Sequence, residues 1–423
     1  MKLNNEQEII LKGKKGKVLR ECLLNLIKYG TAMGAKELIP ISSAHTSFNL
    51  LSKVARAFSP RRKLLNQKEI KYFIQELSKL HVQVRTTING GIIDRKKWKE
   101  MGASADTYNL VSQTVKVAKN CGIMATYSVT PYLTDNIPLF GDHCSWSESS
   151  AILYLNSIIG ARTNRDVSEI SLYSALLGMT PNFGLHLEEN RKPTHLVKIN
   201  CDLKTSSDWG ALGYFTGEMV GLGIPIYEDL RKRPNVEDCV QLCGGCSSSG
   251  PISMLLIPGV SPEAPDLEIA FRKNKPKSIY IFDENAKKKV FDFLNYQPKG
   301  KVDLVFLGCP YKTLHEVAEI AYMLEGKRVA RGIRLWISTS SSFRSEAEEL
   351  GYAKIIEEAG GELYADGCPV CFYVNSPVSA PKLNRIALDS AKQAFSARRS
   401  LHSNIFFGNT QQCIEIALKG EIQ

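Results

Sequence analysis

The chain has 423 residues, and because one hydrophobic core stops growing at about 250–300 residues, we expect two or three domains. Apolar residues make up 43% and charged residues 23%, a balance that is typical of folded globular proteins and excludes a largely disordered chain. The formal net charge of +11 suits nucleic acid, an anionic small molecule or an acidic partner subunit, but no nucleic-acid-binding module is visible, so we expect no nucleic-acid partner.

No apolar run is as long as a membrane span, and the first residues lack the apolar core of a signal peptide. We therefore expect a cytoplasmic protein that does not enter a membrane. Eleven cysteines, an odd number at irregular spacing, indicate thiols or cluster ligands rather than a disulfide framework.

The N-terminal part is predicted to contain one or two amphipathic helices within residues 6–29 and a short strand from Leu38 to Ile41. The sequence SSAHTS at residues 42–47 is predicted to be the loop that leaves this strand. Loops at strand ends carry binding residues in many α/β sheets, and this loop offers hydroxyl groups and the imidazole of His45. A capping loop with a surface histidine is the alternative.

The next residues are predicted to form a strand at 81–88, a glycine turn at 89–91, a helix at 105–120 and a second strand at 123–129. After Ser147, apolar residues at helical spacing predict a buried helix, and the segment also carries acidic, amide and basic side chains. On the residues alone this segment is equally a capped helix followed by a charged loop.

From residue 194 the pattern indicates an α/β unit, with a strand at 195–203, a glycine-rich helix and turn at 208–227 and another strand at 252–260. The glycines come in the wrong order for a dinucleotide-binding loop, so they indicate close helix packing. The CGGC sequence at 243–246 is interpreted in the same way, because no second cysteine or histidine pair stands at zinc-site spacing.

The last 125 residues are predicted to form a parallel sheet. Strand segments at 302–310, 334–340 and 361–371 alternate with helices at 313–326 and 345–359. Cys309 and Cys368 are both at the carboxyl ends of strands, so we expect their thiols to converge at one end of the sheet.

Three motifs in the middle of the chain resemble the large subunit of the aconitase X family. WSESSA at 146–151 is similar to the family's W-G-E-S-S/N-A, NSIIGARTNR at 156–165 to N-S-V-L-G-A-R-T-N-R, and GLH at 184–186 to its G-L-H element. The resemblance implies an aconitase-like α/β arrangement of parallel sheets, with the active site in a cleft between domains. We expect domains at about residues 1–135, 136–275 and 276–423.

The resemblance also implies the residues of the site. Family members place the segment matching Ser42, Ser43 and His45 against the substrate. LDSAK at 388–392 is similar to the family's T-N-S-A-K, which makes Ser390 the candidate base and Lys392 the group that holds its alkoxide or a substrate anion. Ser390 is also a good helix N-cap. Glu148 joins the catalytic candidates, and with Arg162, Asn164 and Arg165 it is expected to bind a carboxylate or phosphate.

An iron–sulfur cluster is the cofactor that the resemblance implies, and here the chain departs from its family. Val129 replaces the cysteine of the family's T-C-T-P-Y motif, Asn89 replaces an aspartate, and the family's T-D-T-C motif is only partly matched before Cys368. Classical aconitases use one cysteine and then a CxxC some sixty residues later. By that likeness we expect Cys309, Cys368 and Cys371 to hold a 4Fe-4S cluster, with Cys144 as the competing third ligand and a lost or altered cluster as the alternative.

The expected function is that of an iron–sulfur hydro-lyase that dehydrates a small 3-hydroxy acid. Within the family, separate subunits and the basic balance favour mevalonate 5-phosphate as the substrate, and cis-3-hydroxy-L-proline is the alternative. A relative with changed or lost chemistry is the rival hypothesis, because of the departures at residues 89 and 129. The family also implies a partner, a small swivelling subunit whose sequence is not fused to this chain.

Overall fold

The computed structural model describes residues 1–47, 75–272, 274–368, 371–373 and 383–422. Its α-helices are α1 (Asn5–Leu11), α2 (Lys17–Ala32), α3 (Ala105–Asn120), α4 (Ser149–Tyr154), α5 (Ser168–Leu177), α6 (Ser206–Val220), α7 (Val236–Ser249), α8 (Leu267–Phe271), α9 (Glu284–Leu294), α10 (Leu314–Leu324), α11 (Ser341–Glu349), α12 (Tyr352–Glu358), α13 (Ala391–Leu401) and α14 (Thr410–Lys419).

The strands are β1 (Leu38–Pro40), β2 (Ser43–Thr46), β3 (Arg85–Ile88), β4 (Cys144–Trp146), β5 (Met179–Pro181), β6 (His195–Asn200), β7 (Pro225–Glu228), β8 (Ser278–Asp283), β9 (Gly300–Lys301), β10 (Leu304–Lys312), β11 (Arg334–Thr339), β12 (Gly361–Ala365), β13 (Arg385–Leu388), β14 (Asn404–Phe407) and β15 (Glu421–Ile422). A π-helical turn, Leu155–Ile159, continues α4.

The first sheet has three parallel strands in the order β3–β2–β4, and α5 packs on it. The predicted loop at residues 42–47 was wrong, because its residues 43–46 are the central strand β2 and are all buried. The strand is hard to recognise in the sequence because its core-facing groups are hydroxyls and an imidazole. Side-chain hydrogen bonds compensate for their burial: Trp146 donates to Ser43, and Thr46 donates to the carbonyl of Ser168.

The second sheet is also parallel, in the order β7–β6–β8, and α6 and α7 pack against each other beside it. A β-carbon on Gly213 would lie 2.2 Å from the Leu242 carbonyl oxygen, and one on Gly245 would lie 2.1 Å from that of Gly210. The two helix backbones therefore touch, which confirms the close packing that the glycines predicted. Cys243 and Cys246 are fully buried in α7, as expected of packing residues.

Two predicted strands were wrong. Residues 123–129 and 252–260 each contribute a single β-bridge, at Met124 and at Leu256, rather than a strand. In the first segment Tyr127 adopts a left-handed conformation with φ of 50°, which interrupts the extended run. In the second, the chain turns at residues 258–260, where Gly259 has φ of 71°.

The third sheet has five parallel strands in the order β12–β11–β10–β13–β14, and it confirms the strand and helix series predicted for the C-terminal part. The helix predicted at 345–359 is two helices, α11 and α12, because Gly351 between them is left-handed with φ of 84°. The fold class, α/β with parallel sheets, is confirmed. The division of the chain at residues 135 and 275 stays a prediction.

The first and third sheets meet through the segment that follows β3. The amide of Gly91 donates to the carbonyl of Asp366 over 2.6 Å, and the buried carboxylate of Asp94 accepts from the amide of Ala365 over 2.8 Å and pairs with Arg344. These contacts bring the carboxyl end of β3 beside the residues that follow β12. None of the helices in the described part of the chain is both long and apolar enough to cross a membrane.

Candidate active site

A buried ion pair joins the first and third sheets. Glu148 is the N-cap of α4, where its Oε2 accepts hydrogen bonds from the Ala151 amide at 2.5 Å and from Ser150 at 2.8 Å. Its Oε1 lies 2.6 Å from Nζ of Lys392, in the first turn of α13, and Nζ also donates to Ser150 at 3.0 Å. Both side chains are largely buried.

The pair keeps both groups charged. Burial works to raise the pKa of Glu148, but the Lys392 ammonium and the hydrogen bonds at the cap lower it below its ordinary value. Burial likewise works to lower the pKa of Lys392, and the Glu148 carboxylate raises it above its ordinary value. The site therefore contains a fixed anion and a fixed cation in a buried setting.

Ser390 is the N-cap of α13, as one interpretation of the sequence proposed. Its hydroxyl accepts from the Gln393 amide at 3.3 Å and donates to the carbonyl oxygen of Cys309. Gln393, one turn later, donates to Sγ of Cys368 at 3.9 Å. The first turn of α13 thus contacts two of the predicted cluster ligands as well as Glu148, and Gln393 has no local sequence signal that would have singled it out.

The three predicted cluster ligands lie together. Cys309 is in the irregular part of β10, between the regular pairings of Leu307 and Lys312, and the Cys368 thiol hydrogen-bonds with both Cys309 and Cys371. The contact with Cys368, together with burial, raises the pKa of Cys309 well above its ordinary value, and the same contact raises the pKa of Cys371.

The three thiols are not arranged around a common point as metal ligands would be. Cys371 is exposed, and no group of three or more histidine, cysteine or acidic side chains among the described residues is arranged to hold a metal ion. Pro369 and Val370, between the two CxxC thiols, lie outside the described residues. The donor set is nevertheless chemically suited to iron, because three soft thiol ligands come from β10 and from the segment that follows β12.

The resemblance implies a ligand at the position of Val129, whose side chain lies against the Gly90 backbone. A β-carbon on Gly90 would lie 2.6 Å from Cγ1 of Val129 and 3.3 Å from the hydroxyl of Tyr311, two residues after Cys309. The competing ligand, Cys144, is directed elsewhere: its thiol is fully buried on β4 and accepts a hydrogen bond from Ser43 at 3.4 Å.

His45, one of the predicted substrate-contacting residues, lies close to the ion pair. Its ring is fully buried on β2, with Nδ1 2.8 Å from the Thr87 hydroxyl, and the Glu148 carboxylate is close enough to influence its pKa. Burial nevertheless lowers the pKa of His45 to about 4, so the ring is neutral near pH 7. Ser42 donates to Asp142 at 3.0 Å, and the Ser43 hydroxyl is bonded to Cys144 and Trp146.

The three candidates of the GARTNR motif bind backbone carbonyl groups. Arg162 donates to the His186 carbonyl at 3.2 Å and Asn164 to the Phe183 carbonyl at 3.1 Å. Arg165 donates to the carbonyls of Gly250, Ile252 and Ser247 at 2.9–3.3 Å. The bonds of Arg165 reach residues 247–252 in the second part of the chain, whereas those of Arg162 and Asn164 stay within the first. A role for the three side chains in substrate binding stays a prediction.

Comparison with known proteins identifies the family of this chain. The family models for the aconitase X first, second and third domains match residues 1–189, 193–292 and 302–419. The chain belongs to the aconitase X family. Its fold agrees with the crystal structure of Thermococcus kodakaraensis aconitase X (holo-form), with a TM-score of 0.84 and 31% identity over 99% of this chain and 100% of that one.

Named relatives of this aconitase X chain are dehydratases. It is 33% identical to the phosphomevalonate dehydratase large subunit of Methanocaldococcus jannaschii, over 98% of this chain and 100% of the relative. The large subunit of the same name from Methanosarcina mazei is 32% identical over 100% and 98%. Cis-3-hydroxy-L-proline dehydratase of Pseudomonas aeruginosa is 28% identical, over 99% of this chain but 70% of the relative.

Proposed function

We propose that this chain is the large, catalytic subunit of a phosphomevalonate dehydratase, which removes water from mevalonate 5-phosphate and works with a small subunit. The observation that carries the proposal is the end-to-end match to the Methanocaldococcus jannaschii large subunit. The hydroxyproline dehydratase of Pseudomonas aeruginosa is 28% identical against 33% for the Methanocaldococcus jannaschii large subunit, so sequence similarity favours the phosphomevalonate reaction. The net charge of +11 suits a phosphorylated acid.

Cys309, Cys368 and Cys371 are proposed to hold a 4Fe-4S cluster. Support comes from the thiol contacts through Cys368 and from the position of this group beside Ser390 and Lys392. When bound, such a cluster supplies an open iron that acts as a Lewis acid on the substrate's hydroxyl and carboxylate groups. Loading requires the three thiols to lose their protons.

Ser390 is proposed to remove the proton on carbon. Its hydroxyl is held by the Cys309 carbonyl at the N-terminus of α13, where the helix dipole favours negative charge. Lys392, two residues later, adds a positive charge that lowers the cost of a serine alkoxide or binds an anionic group of the substrate. Glu148 fixes the position of the Lys392 ammonium.

The proposal is tested with the chain co-purified with its small subunit and reconstituted anaerobically with iron and sulfide. We expect about four irons and four sulfides per complex and loss of water from mevalonate 5-phosphate, followed by product analysis. Turnover of cis-3-hydroxy-L-proline instead would favour the alternative substrate. A colourless protein that binds mevalonate 5-phosphate without turnover would favour a relative with changed chemistry.

The ligand assignment has a matched pair of variants. Cys371→Ser should lose most of the reconstituted iron and nearly all turnover, because serine replaces one of three thiolate ligands. Cys144→Ser should keep its iron, because its thiol is hydrogen-bonded to Ser43 on β4. The reverse pattern in the iron and sulfide counts would assign the third ligand to Cys144.

A further inference from the structure

His45 has one ring nitrogen with a partner and one without. Nδ1 is bonded to Thr87, whereas Nε2 is buried and makes no hydrogen bond with any residue that the structure describes. Both oxygens of the neighbouring Glu148 are already bonded, to Lys392 and to the cap of α4. A buried polar atom without a partner is rare in folded proteins and therefore calls for an explanation.

The proton on the His45 ring can be located from the groups behind it. Asn136 is fully buried, and its Nδ2 lies 3.0 Å from the Ala44 carbonyl and 3.0 Å from the Thr87 hydroxyl oxygen. A carbonyl oxygen only accepts, so the Asn136 amide must present its NH₂ group to both atoms. The Thr87 oxygen therefore receives a hydrogen bond from Asn136.

The Thr87 hydroxyl then has one proton left to donate. Within the described residues, its only other hydrogen-bond contact is Nδ1 of His45, at 2.8 Å. If Nδ1 also carried a proton, the buried Thr87 hydroxyl would have no acceptor, which is unfavourable. Nδ1 therefore accepts, and the proton of the neutral ring is on Nε2.

We propose that the relay Asn136–Thr87–His45 fixes the imidazole as the Nε2–H tautomer, so that Nε2–H binds an anionic oxygen of the substrate acid. The second half rests on the proposed function, whereas the tautomer does not. Thr87 and Asn136 are positioning residues for this donor. An unprotonated Nε2 would instead repel the carboxylate or phosphate that the site has to accept.

Asn89, which stands where the family has an aspartate, is consistent with a donor role for the His45 Nε2–H group. Its amide lies beside the His45 ring, with its nitrogen bonded to Ser47 at 3.1 Å and its oxygen to the Gly90 amide at 2.8 Å. An aspartate here would place a second carboxylate beside the imidazole, which would favour the charged ring and engage its proton. The neutral amide adds no charge beside the ring, and its contact with His45 raises the pKa too little to offset burial, so the ring stays neutral.

The test is nitrogen NMR of the full chain, labelled with ¹⁵N only in histidine. The His45 signals are assigned by their loss in His45→Gln among the seven histidines of the chain. We expect an unprotonated Nδ1 and a protonated Nε2 at pH 6 to 8, and a shift of the Nε2–H resonance when mevalonate 5-phosphate is added but not when inorganic phosphate is added. A protonated Nδ1 would overturn the proposal.

Thr87→Val and Thr86→Val form a matched pair, because both threonines are buried on β3 but the Thr86 hydroxyl donates to the Val84 carbonyl. We expect Thr87→Val to give a mixture of tautomers and, in the assembled enzyme, a kcat/KM lower by about 10- to 100-fold, the range for a lost hydrogen bond to a charged group. Thr86→Val should change neither.

An unchanged tautomer in Thr87→Val would overturn the relay even if the enzyme is active. Conversely, an inactive complex whose His45 keeps the Nε2–H tautomer would contradict the proposed function and support the relay. The two ideas can therefore fail separately.

Discussion

At the scale of single residues, the pair Glu148–Lys392 dominates the electrostatics of the site. Removing both charges from water is costly, and their attraction offsets this cost only while both are present. The remaining hydrogen-bonding capacity of Glu148 is used by the cap of α4, so the carboxylate is held in one orientation. Lys392 is thereby fixed close to Ser390 and Cys309.

Lys392→Met tests this dependence. The variant leaves the Glu148 carboxylate buried without its cation, so we expect a loss of about 3–5 kcal/mol in the free energy of unfolding and of nearly all dehydratase turnover. The double variant Glu148→Gln/Lys392→Met should recover most of the stability but none of the turnover. Urea unfolding and product assays measure both.

Lys354→Met serves as the control, because Lys354 and its partner Glu358 are exposed and such pairs contribute little. If Lys392→Met kept turnover within tenfold of the unmodified enzyme, the role proposed for its ammonium group would be contradicted.

Part of the site could be predicted from the sequence and part could not. Ser390, Lys392 and the cysteines are in motifs, so resemblance identified them, and the structure brings them together with Glu148. Thr87 stands in the segment where only Asn89 was singled out, and Asn136 and Gln393 stand in no motif. Their contacts join residues 25 to 92 positions apart in the chain. Such contacts depend on the folded arrangement and leave no local pattern.

At the scale of elements, the closest contact is between α6 and α7. Gly213 and Gly245 allow the helix backbones to approach to a distance that no side chain would permit. The glycines of this region therefore act through their small size, and this packing places α7 against α4, which Glu148 caps.

Gly213→Ala and Gly210→Ala each add one methyl group to α6, but we expect opposite effects on the free energy of unfolding. A β-carbon on Gly213 meets the Leu242 carbonyl, so we expect a loss of at least about 1–3 kcal/mol in unfolding free energy. One on Gly210 has its nearest neighbour at 3.4 Å, the β-carbon of Ala391, so the variant should be unchanged or gain up to about 1 kcal/mol from helix propensity. Equal Tm values for the two variants would contradict the packing argument.

Some strands could be predicted from the sequence pattern and others could not. The C-terminal sheet was predictable because its strands are continuous apolar runs between amphipathic helices. The central strand β2 was missed because its sequence, SAHT, carries polar groups whose partners lie on other strands and loops. Apolar runs at 123–129 and 252–260 were taken for strands, but each pairs with a neighbouring strand at one residue only.

At the scale of the whole molecule, the site depends on the contact between the first and third sheets. Asp94, fully buried, binds Arg344 of α11 and the Ala365 amide at the end of β12. Arg95 adds an ion pair with Asp366 at 2.8 Å. This junction positions the segment that leads to Cys368.

Arg344→Leu should damage both the fold and the cluster. Asp94 would be left buried without its cation, so we expect a loss of about 3–5 kcal/mol in stability. The Ala365–Cys368 segment would also lose its anchor, so the iron content after reconstitution should fall. Arg231→Leu is the control, since Arg231 and its partner Asp202 are exposed. A stable variant with normal iron content would show that the junction is dispensable.

The ion pair between Glu148 and Lys392 joins residues 244 positions apart. During synthesis on a ribosome, Glu148 is made long before its counter-ion Lys392. Until Lys392 is made, the Glu148 carboxylate beside the first sheet has no cation to pair with. A chain that stalls or is truncated before α13 cannot bury Glu148 without penalty. Incomplete copies should therefore remain partly open and be recognised by chaperones or proteases.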